Sequence, residues 1–159
     1  MTLVPLTVTA SATPAADATM ASPVATGAPA PDVMLEMTDD LQYIVTPDPV
    51  PTGPQIWEIV NTGETQSHHV VMMGVPDGTT ADDILAEFNG LMMGTPPAEG
   101  SVMMQASGAG YAALQSGGAT TWFEFDLAPG TYAVICYIID PETQMPHVMN
   151  GMVTVFEVE

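Results

Sequence analysis

The residues best suited to metal chemistry lie in the last quarter of the chain. Cys136 is the only cysteine among 159 residues, and His147 and Met152 follow it with four residues between them. A histidine pair, His68-His69, lies in the first half. A thiolate, imidazoles and a thioether are soft or borderline donors, which suit d-block ions better than Mg²⁺ or Ca²⁺. A lone cysteine acting as a small buried hydrophobe is the alternative.

This donor set matches a mononuclear electron-transfer copper site. Such a site holds the metal with one thiolate and two imidazoles in a plane and a weak thioether on the axis. The set accommodates both Cu(I) and Cu(II) without large movement, which keeps electron transfer fast. We therefore expect one type 1 copper ion bound by His68, Cys136, His147 and Met152. His68 is preferred over His69 because it comes first after the preceding turn.

Other methionines occur in adjacent pairs: Met72-Met73, Met92-Met93 and Met103-Met104. Thioethers bind Cu(I), so a copper-carrying role is one interpretation. Neighbouring residues of a strand face opposite sides of the sheet and cannot chelate one ion together. Packing is the favoured interpretation for these pairs.

Short alternating segments separated by Gly and Pro position the candidate ligands. Thr80, with Asp83 three residues later, predicts a helix start, and Asn89-Gly90 predicts its end. The composition of residues 94–118 predicts a long irregular excursion. The pattern as a whole predicts an all-β Greek-key sandwich of about seven or eight strands with one short inserted helix. The predicted strands are Val33–Met37, Leu41–Val45, Gln55–Asn61, His68–Val75, Thr120–Leu127, Thr131–Ile139 and Met152–Val158.

Two segments resemble the cupredoxin family, the blue-copper proteins of the plastocyanin and azurin type. Gly130 and Tyr132 lead into Cys136, and His147-Val-Met-Asn-Gly-Met152 reproduces the family's His-x4-Met spacing. Asn61-Thr62-Gly63 before His68 matches the segment that carries the family's first histidine. The resemblance covers residues 33–159 and implies the same four ligands and fold. Ten residues separate Cys136 from His147, a longer loop than the family commonly has.

Charge excludes several classes of partner. The chain has 19 acidic residues, no Lys and no Arg, for a net charge of −19. No cation is available to displace phosphate counterions, which argues against nucleic acid, and anionic membranes are disfavoured for the same reason. Self-repulsion among carboxylates should raise their pKa values. A carboxylate pKa that is higher in the folded state makes stability fall as pH rises, so we expect the apo protein to be more stable at about pH 4–5 than at about pH 8.

Residues 1–31 form a flexible Ala/Thr/Pro-rich tail or linker in this interpretation, ahead of a domain at 32–159. Thr2–Ala12 resembles a signal-peptide remnant, although the basic segment of a signal peptide is missing. The competing interpretation is an arm at residues 2–9 that pairs with a sheet edge of this or a neighbouring chain, giving self-association.

The resulting function prediction is an electron carrier rather than an enzyme, secreted, periplasmic or on the cell surface, which meets a redox partner protein near the exposed edge of a ligand histidine. No hydrolytic triad, phosphate loop or zinc-protease helix supports catalysis. The alternative is a metal-free cupredoxin-like subunit of a cell-surface assembly. The absence of Lys and Arg, and hence of trypsin-type cleavage sites, gives that alternative some weight. Life at acidic pH, where many of the carboxylates would be protonated, is an equally simple explanation of the composition.

Overall fold

The strand around Trp57 shows the expected alternation most clearly. The computed structural model describes residues 27–159, and its strand Gly53–Asn61 buries Gln55, Trp57, Ile59 and Asn61. The residues between them are half-buried. Because successive side chains of a strand point to opposite faces, one face of this strand lies in the core and the other lies nearer to solvent.

Eight strands form two four-stranded sheets. They are β1 (Val33–Met37), β2 (Tyr43–Thr46), β3 (Gly53–Asn61), β4 (His68–Val75), β5 (Ser107–Gln115), β6 (Thr120–Leu127), β7 (Gly130–Ile135) and β8 (Val153–Val158). The first sheet has the order β2-β1-β3-β6 and the second the order β5-β4-β7-β8. All pairs are antiparallel except β1 with β3. The predicted mostly-β sandwich is confirmed.

The core between the sheets is built around Trp57. Its ring meets Phe125 of β6 edge to face at 5.5 Å and lies 5.8 Å from Phe156 of β8. Trp57 on the first sheet therefore bridges to the second. Burial of such aromatic surface is the largest single contribution of a side chain to a core of this kind.

A helix covers the outer face of the second sheet. α1 (Ala81–Met92) begins at Thr80 as predicted, where the Thr80 hydroxyl and the Asp83 carboxylate form a capping box. Ile84 and Phe88 of α1 are buried against that face. The helix continues past the predicted stop at Asn89-Gly90, because an isolated glycine is tolerated within a helix. A short helix α2 (Val102–Gln105) follows, and the 3-10 helix His147–Asn150 precedes β8.

The prediction of an irregular excursion at residues 94–118 was wrong in its second half. β5 occupies Ser107–Gln115, pairs with β4 along the sheet edge and buries Ala112 and Gln115. Its Gly, Ala and Ser residues give no periodic apolar signal. Backbone pairing to a neighbouring strand supplies its order instead, so tertiary context decided the outcome.

Gly117, next to β5, provides a test of close packing near the ligand-bearing turn. A Cβ at Gly117 would lie 2.7 Å from the backbone oxygen of Gly63 and 2.9 Å from Glu64. These are backbone atoms, which can move away from the new methyl group only if the chain around them shifts. Gly117→Ala should therefore lower the free energy of unfolding by about 1–3 kcal/mol. Chemical denaturation measures it. Gly108→Ala is the matched control, because nothing lies within 4 Å of its Cβ. Equal effects of the two variants would contradict the prediction.

The predictions for the N-terminal segment fall mostly outside the described residues. The signal-peptide remnant at Thr2–Ala12, the pairing arm at residues 2–9 and all of the predicted linker except residues 27–31 lie outside the described residues, which begin at Gly27. Residues 27–31 are exposed. Across residues 27–159, no helix is both long and apolar enough to span a bilayer.

Candidate metal centre

Three of the four predicted ligands converge at one end of the sandwich. His68 opens β4, Cys136 directly follows β7, and His147 opens the 3-10 helix. Their donor atoms all lie within 4.8 Å of one another. The Nδ1 atoms of the two histidines are 3.1 Å apart, and the Cys136 Sγ is 3.6 Å from Nδ1 of His147. The exposed fraction is 0% for His68 and Cys136 and 1% for His147.

Met152, the fourth predicted ligand, lies next to Cys136 and His147 along the backbone. It is fully buried in the same core cluster as Cys136. Its amide donates to the carbonyl of His147 at 2.9 Å, and its carbonyl accepts from the amide of Cys136 at 3.3 Å. The backbone thus fixes Met152 next to both residues.

The ten residues between Cys136 and His147, here called the 137–146 loop, fold back on themselves. Ile139 and Pro146 form an antiparallel bridge, and the amide of His147 donates to the carbonyl of Ile138 at 2.7 Å. The Asp140 carboxylate accepts from the amide of Glu142 at 2.7 Å. The loop is therefore a self-contained excursion whose two ends meet. It also explains why β7 ends at Ile135 and not at the predicted Ile139: beyond that point the chain pairs with its own loop.

A carboxylate organises the turn that precedes His68. Asp39 accepts hydrogen bonds from the amides of Glu64, Thr65 and Gln66 at 2.9–3.3 Å. These bonds, above all the one from Glu64, lower the pKa of Asp39. Sequence analysis missed this residue, because a contact across 25 positions leaves no local pattern. The hydrogen bonds of Asp39 fix the direction from which the chain enters β4.

Buried groups also surround the cysteine. Burial raises the pKa of Cys136, while the backbone amides of His69 and Ile138 and the hydroxyl of Tyr43 act in the opposite direction. The Tyr43 hydroxyl, itself buried, donates to the carbonyl of His69. The thiol is therefore expected to be neutral without a cation.

His69 lies on the other face of β4, as the period of two requires. Its Nε2 accepts the amide hydrogen of Tyr137 at 2.8 Å, so this imidazole holds the chain directly after Cys136. The predicted exposed edge of a ligand histidine is not observed, since His68 and His147 are both buried. The reason is the 137–146 loop, which together with the turn at residues 65–67 lines the cleft next to His147.

The donor set fits a d-block cation. Such an ion lies about 2.0–2.1 Å from nitrogen and about 2.3 Å from sulfur in zinc sites, so its donors must lie roughly 3–4 Å apart. The distances of 3.1 and 3.6 Å between the donors of His68, His147 and Cys136 meet that requirement. The Nδ1 atoms are the candidate ligating atoms, because they converge on each other and the Nδ1 of His147 approaches the thiol. The two Nε2 atoms are buried without a hydrogen-bond partner in residues 27–159.

Acid should destabilise the apo protein. Burial lowers the pKa of His68 from 6.5 to about 4 and lowers those of His69 and His147. Between pH 4 and 6.5 the unfolded chain then binds more protons, so stability falls as pH falls through that window. The pKa values of Asp39 and Asp140 are also lowered, by backbone hydrogen bonds above all, whereas sequence analysis expected raised values.

We therefore expect a lower melting temperature for apo protein at about pH 4.5 than at about pH 7, the reverse of the expectation from net charge. This expectation requires that the desolvation of the histidines and the hydrogen bonds of the two carboxylates outweigh the general repulsion among the acidic residues. Thermal melts at both pH values, in low and high salt, measure the difference. A higher melting temperature at the acidic pH in low salt would show that general repulsion dominates.

The chain is similar to several solved structures. No protein-family model matches the chain, and no curated protein matches it. The chain is similar to a reduced auracyanin from the photosynthetic bacterium Roseiflexus castenholzii, with 22% identity over 79% of this chain and 94% of that one and a TM-score of 0.47. It is also similar to auracyanin A, a blue copper protein from Chloroflexus aurantiacus, with 14% identity over 79% and 96% of the two chains and a TM-score of 0.45.

A third similar structure is an azurin from Methylomonas sp. strain J, with 14% identity over 79% of this chain and 95% of that chain. Its TM-score is 0.45. Since all three scores are below 0.5, the metal chemistry of this chain has to be inferred from its own donor atoms.

Proposed function

We propose that this chain is a copper-binding electron-transfer protein of the cupredoxin type, with one type 1 copper ion. His68, Cys136 and His147 would hold the ion as its strong ligands, and Met152 would be its weak fourth ligand. The observation that carries the proposal is the buried group of one thiol and two imidazole Nδ1 atoms within 4.8 Å of one another. These soft and borderline donors are spaced at 3.1 and 3.6 Å, the separation that one bound d-block cation requires.

The composition of the donor set favours copper over zinc. Structural zinc sites are closed by four strong ligands, usually thiolates and imidazoles, in a tetrahedron. Here residues 27–159 offer only three strong donors at the site. Met152, whose backbone is bonded to His147 and Cys136, is the candidate for a weak fourth ligand. A trigonal His2Cys set with an axial methionine is the arrangement typical of electron-transfer copper.

Copper supplies reversible one-electron chemistry when bound, and the chain's own residues keep the donors in place. Asp39 holds the turn before His68, and the carbonyl of Met152 holds the amide of Cys136. Burial excludes water from the thiol. A rigid, dry donor set changes little between oxidation states, which is the requirement for fast electron transfer.

We further propose that the protein works outside the cytoplasm, with a redox protein as its partner. The support is the Ala/Thr/Pro-rich composition of residues 1–31, which is typical of a linker, and the small residues Ala10-Ser11-Ala12. Fractionation of the native cells with an antibody to this chain tests the location. Recovery in the cytoplasmic fraction alone would contradict it.

Copper titration of the full-length apo protein tests the site. Addition of Cu(II) should produce one intense visible band from thiolate-to-copper charge transfer, which saturates at one equivalent. Zinc should compete without colour, because it has no accessible redox state. A weak spectrum typical of copper on surface carboxylates and histidines would contradict a type 1 site and favour the metal-free structural subunit.

A further inference from the structure

The four proposed ligands are closed off from solvent, since their exposed fractions are 0% or 1%. An ion in solution therefore reaches them only if part of the chain moves. The cleft beside His147 lies between the 137–146 loop and the turn at residues 65–67. Movement of either wall of this cleft would open the site.

The turn at residues 65–67 is the better anchored wall. Asp39 accepts hydrogen bonds from the amides of three consecutive residues, 64–66. Ser67 leads directly into β4, which pairs with β5 on one side and with β7 on the other. Three backbone bonds to one carboxylate and an inner strand of the sheet hold this wall in place.

The 137–146 loop has fewer contacts with the rest of the protein. Ile138 packs against the core between the sheets, and Tyr137 lies against Phe88 of α1. Residues 139 and 141–144 are exposed. Segments with few buried apolar contacts and many exposed hydrogen bonds open at a low cost in free energy. The loop is therefore the wall that opens more easily.

One side chain ties the tip of this loop to the metal-binding turn. Asn150 lies between the proposed ligands His147 and Met152, and its Nδ2 donates to the Asp140 carboxylate at 3.1 Å and to the Thr143 hydroxyl at 2.9 Å. Both hydrogens of one amide are thus bound by the loop. These two bonds, here called the latch, join the loop to the segment that carries two of the ligands.

The cleft contains polar atoms that suit the passage of an ion. Gln66 and His147 both line it, and Oε1 of Gln66 and Nε2 of His147 are buried without a hydrogen-bond partner in residues 27–159. Buried polar groups are normally paired. A hydrated cation, drawn to the surface by the net charge of −19, would find contacts there once the loop moves.

We propose that the 137–146 loop is a lid over the metal centre, and that a copper ion enters and leaves when the latch at Asn150 opens; this inference rests on the proposed function. The ends of the loop stay joined by the bond from the amide of His147 to the carbonyl of Ile138, so the tip at residues 139–145 turns about that point. The residues of the latch position the lid and are not ligands. The consequence is slow exchange, in which the chain keeps its ion in the presence of competing chelators.

Thiol labelling of the full-length apo protein tests the lid without metal. Cys136 is the only cysteine, and it is buried, so its reaction with the neutral disulfide 4,4′-dithiodipyridine needs an opening that exposes the thiol. Asn150→Ala removes both latch bonds and should raise the labelling rate by about 5- to 100-fold, the range for two ordinary hydrogen bonds. Thr143→Val removes one acceptor and should raise it by about 2- to 10-fold. Thr143→Ser keeps the hydroxyl and should leave the rate unchanged.

Two controls separate the lid from a general loosening of the fold. Asn89→Ala removes a likewise exposed amide bond, the one to the carbonyl of Leu85 in α1, and should leave the labelling rate unchanged. Urea well below the unfolding midpoint should change the rate of Asn150→Ala very little, because a local opening exposes little surface. A rate that rises steeply with urea would show that the thiol reacts through global unfolding, which would overturn the lid.

The opposite wall of the cleft provides the competing outcome. Asp39→Asn weakens the bonds that hold the turn at residues 65–67, and it should speed labelling less than Asn150→Ala does. If Asp39→Asn speeds labelling while Asn150→Ala does not, the turn is the wall that moves and the proposal is overturned.

Copper release shows whether the same opening serves the metal. In the reduced, copper-loaded full chain, transfer of Cu(I) to the neutral chelator neocuproine should be faster in Asn150→Ala by the factor found for labelling, while the visible band of the oxidised protein stays the same. Equal release rates in the two proteins would overturn the lid as the route of the metal. Failure to form a coloured copper site would instead overturn the proposed function, and thiol labelling of the apo protein would still decide whether the lid exists.

Discussion

Cys136→Ser should abolish the visible copper band and weaken copper binding at least 100-fold. Loss of a supporting hydrogen bond alone weakens metal sites about 10- to 100-fold, and this change removes a ligand. Serine is close in size, but its hydroxyl is a hard donor that does not ionise near neutral pH, so no thiolate charge remains to bind the metal. The remaining imidazoles of His68 and His147 would hold copper weakly and without the charge-transfer colour.

The fold should survive this substitution. The side chain of Cys136 is buried in a small volume, and Ser introduces one polar group beside the hydroxyl of Tyr43 and the ring of His147. Ile135→Val, one residue earlier and equally buried, is the control. It removes a methyl group but no donor atom, and it should keep the colour. Absorption titrations and circular dichroism of both variants are the measurements. Full copper binding by the serine variant would rule out Cys136 as a ligand.

Trp57→Ala should have the largest effect on stability. The side chain is fully buried between the sheets, contacts Phe125 and Phe156, and donates from Nε1 to the buried oxygen of Gln55 at 2.7 Å. Truncation of a buried tryptophan lowers the free energy of unfolding by about 3–5 kcal/mol, out of about 5–15 kcal/mol for a typical domain. For a domain of this size the melting temperature should fall by roughly 10–20 °C.

Trp122→Ala separates burial from residue type. Trp122 lies on β6 of the same sheet but is 38% exposed, so its truncation should lower the melting temperature by much less. Differential scanning calorimetry of the apo proteins avoids any contribution from metal binding. Similar losses for the two tryptophans would show that Trp57 does not anchor the contact between the sheets.

Local signals explain which elements could be predicted. The alternation around Trp57 and the capping box of Thr80 and Asp83 are encoded within a few residues, and both appear in the structure. β5 could not be predicted, since its small residues carry no periodicity and its order comes from pairing with β4. Sequence places side chains on alternate faces of a strand, but it does not say which face is the inner one.

In the candidate site, too, local signals could be predicted and long-range contacts could not. Residue types and order pointed to His68, Cys136 and His147, and the structure brings their donor atoms together. The roles of Asp39 and Tyr43 could not be foreseen, because each acts across more than twenty positions of sequence. The burial of both histidines was also missed. It depends on the path of the 137–146 loop, which the spacing alone does not define.

The two histidines that approach within 3.1 Å are 79 residues apart in the chain. Closing a loop of that length is entropically unfavourable until β4 pairs with β7, whereas Cys136, His147 and Met152 lie on one short segment. An unfolded chain can therefore bind copper through that segment, but only the folded chain can add His68. Such binding to the unfolded state reduces the stabilisation that copper gives at equilibrium. The appearance of colour during refolding would consequently report the late docking of β4 onto β7, and not the first capture of the ion.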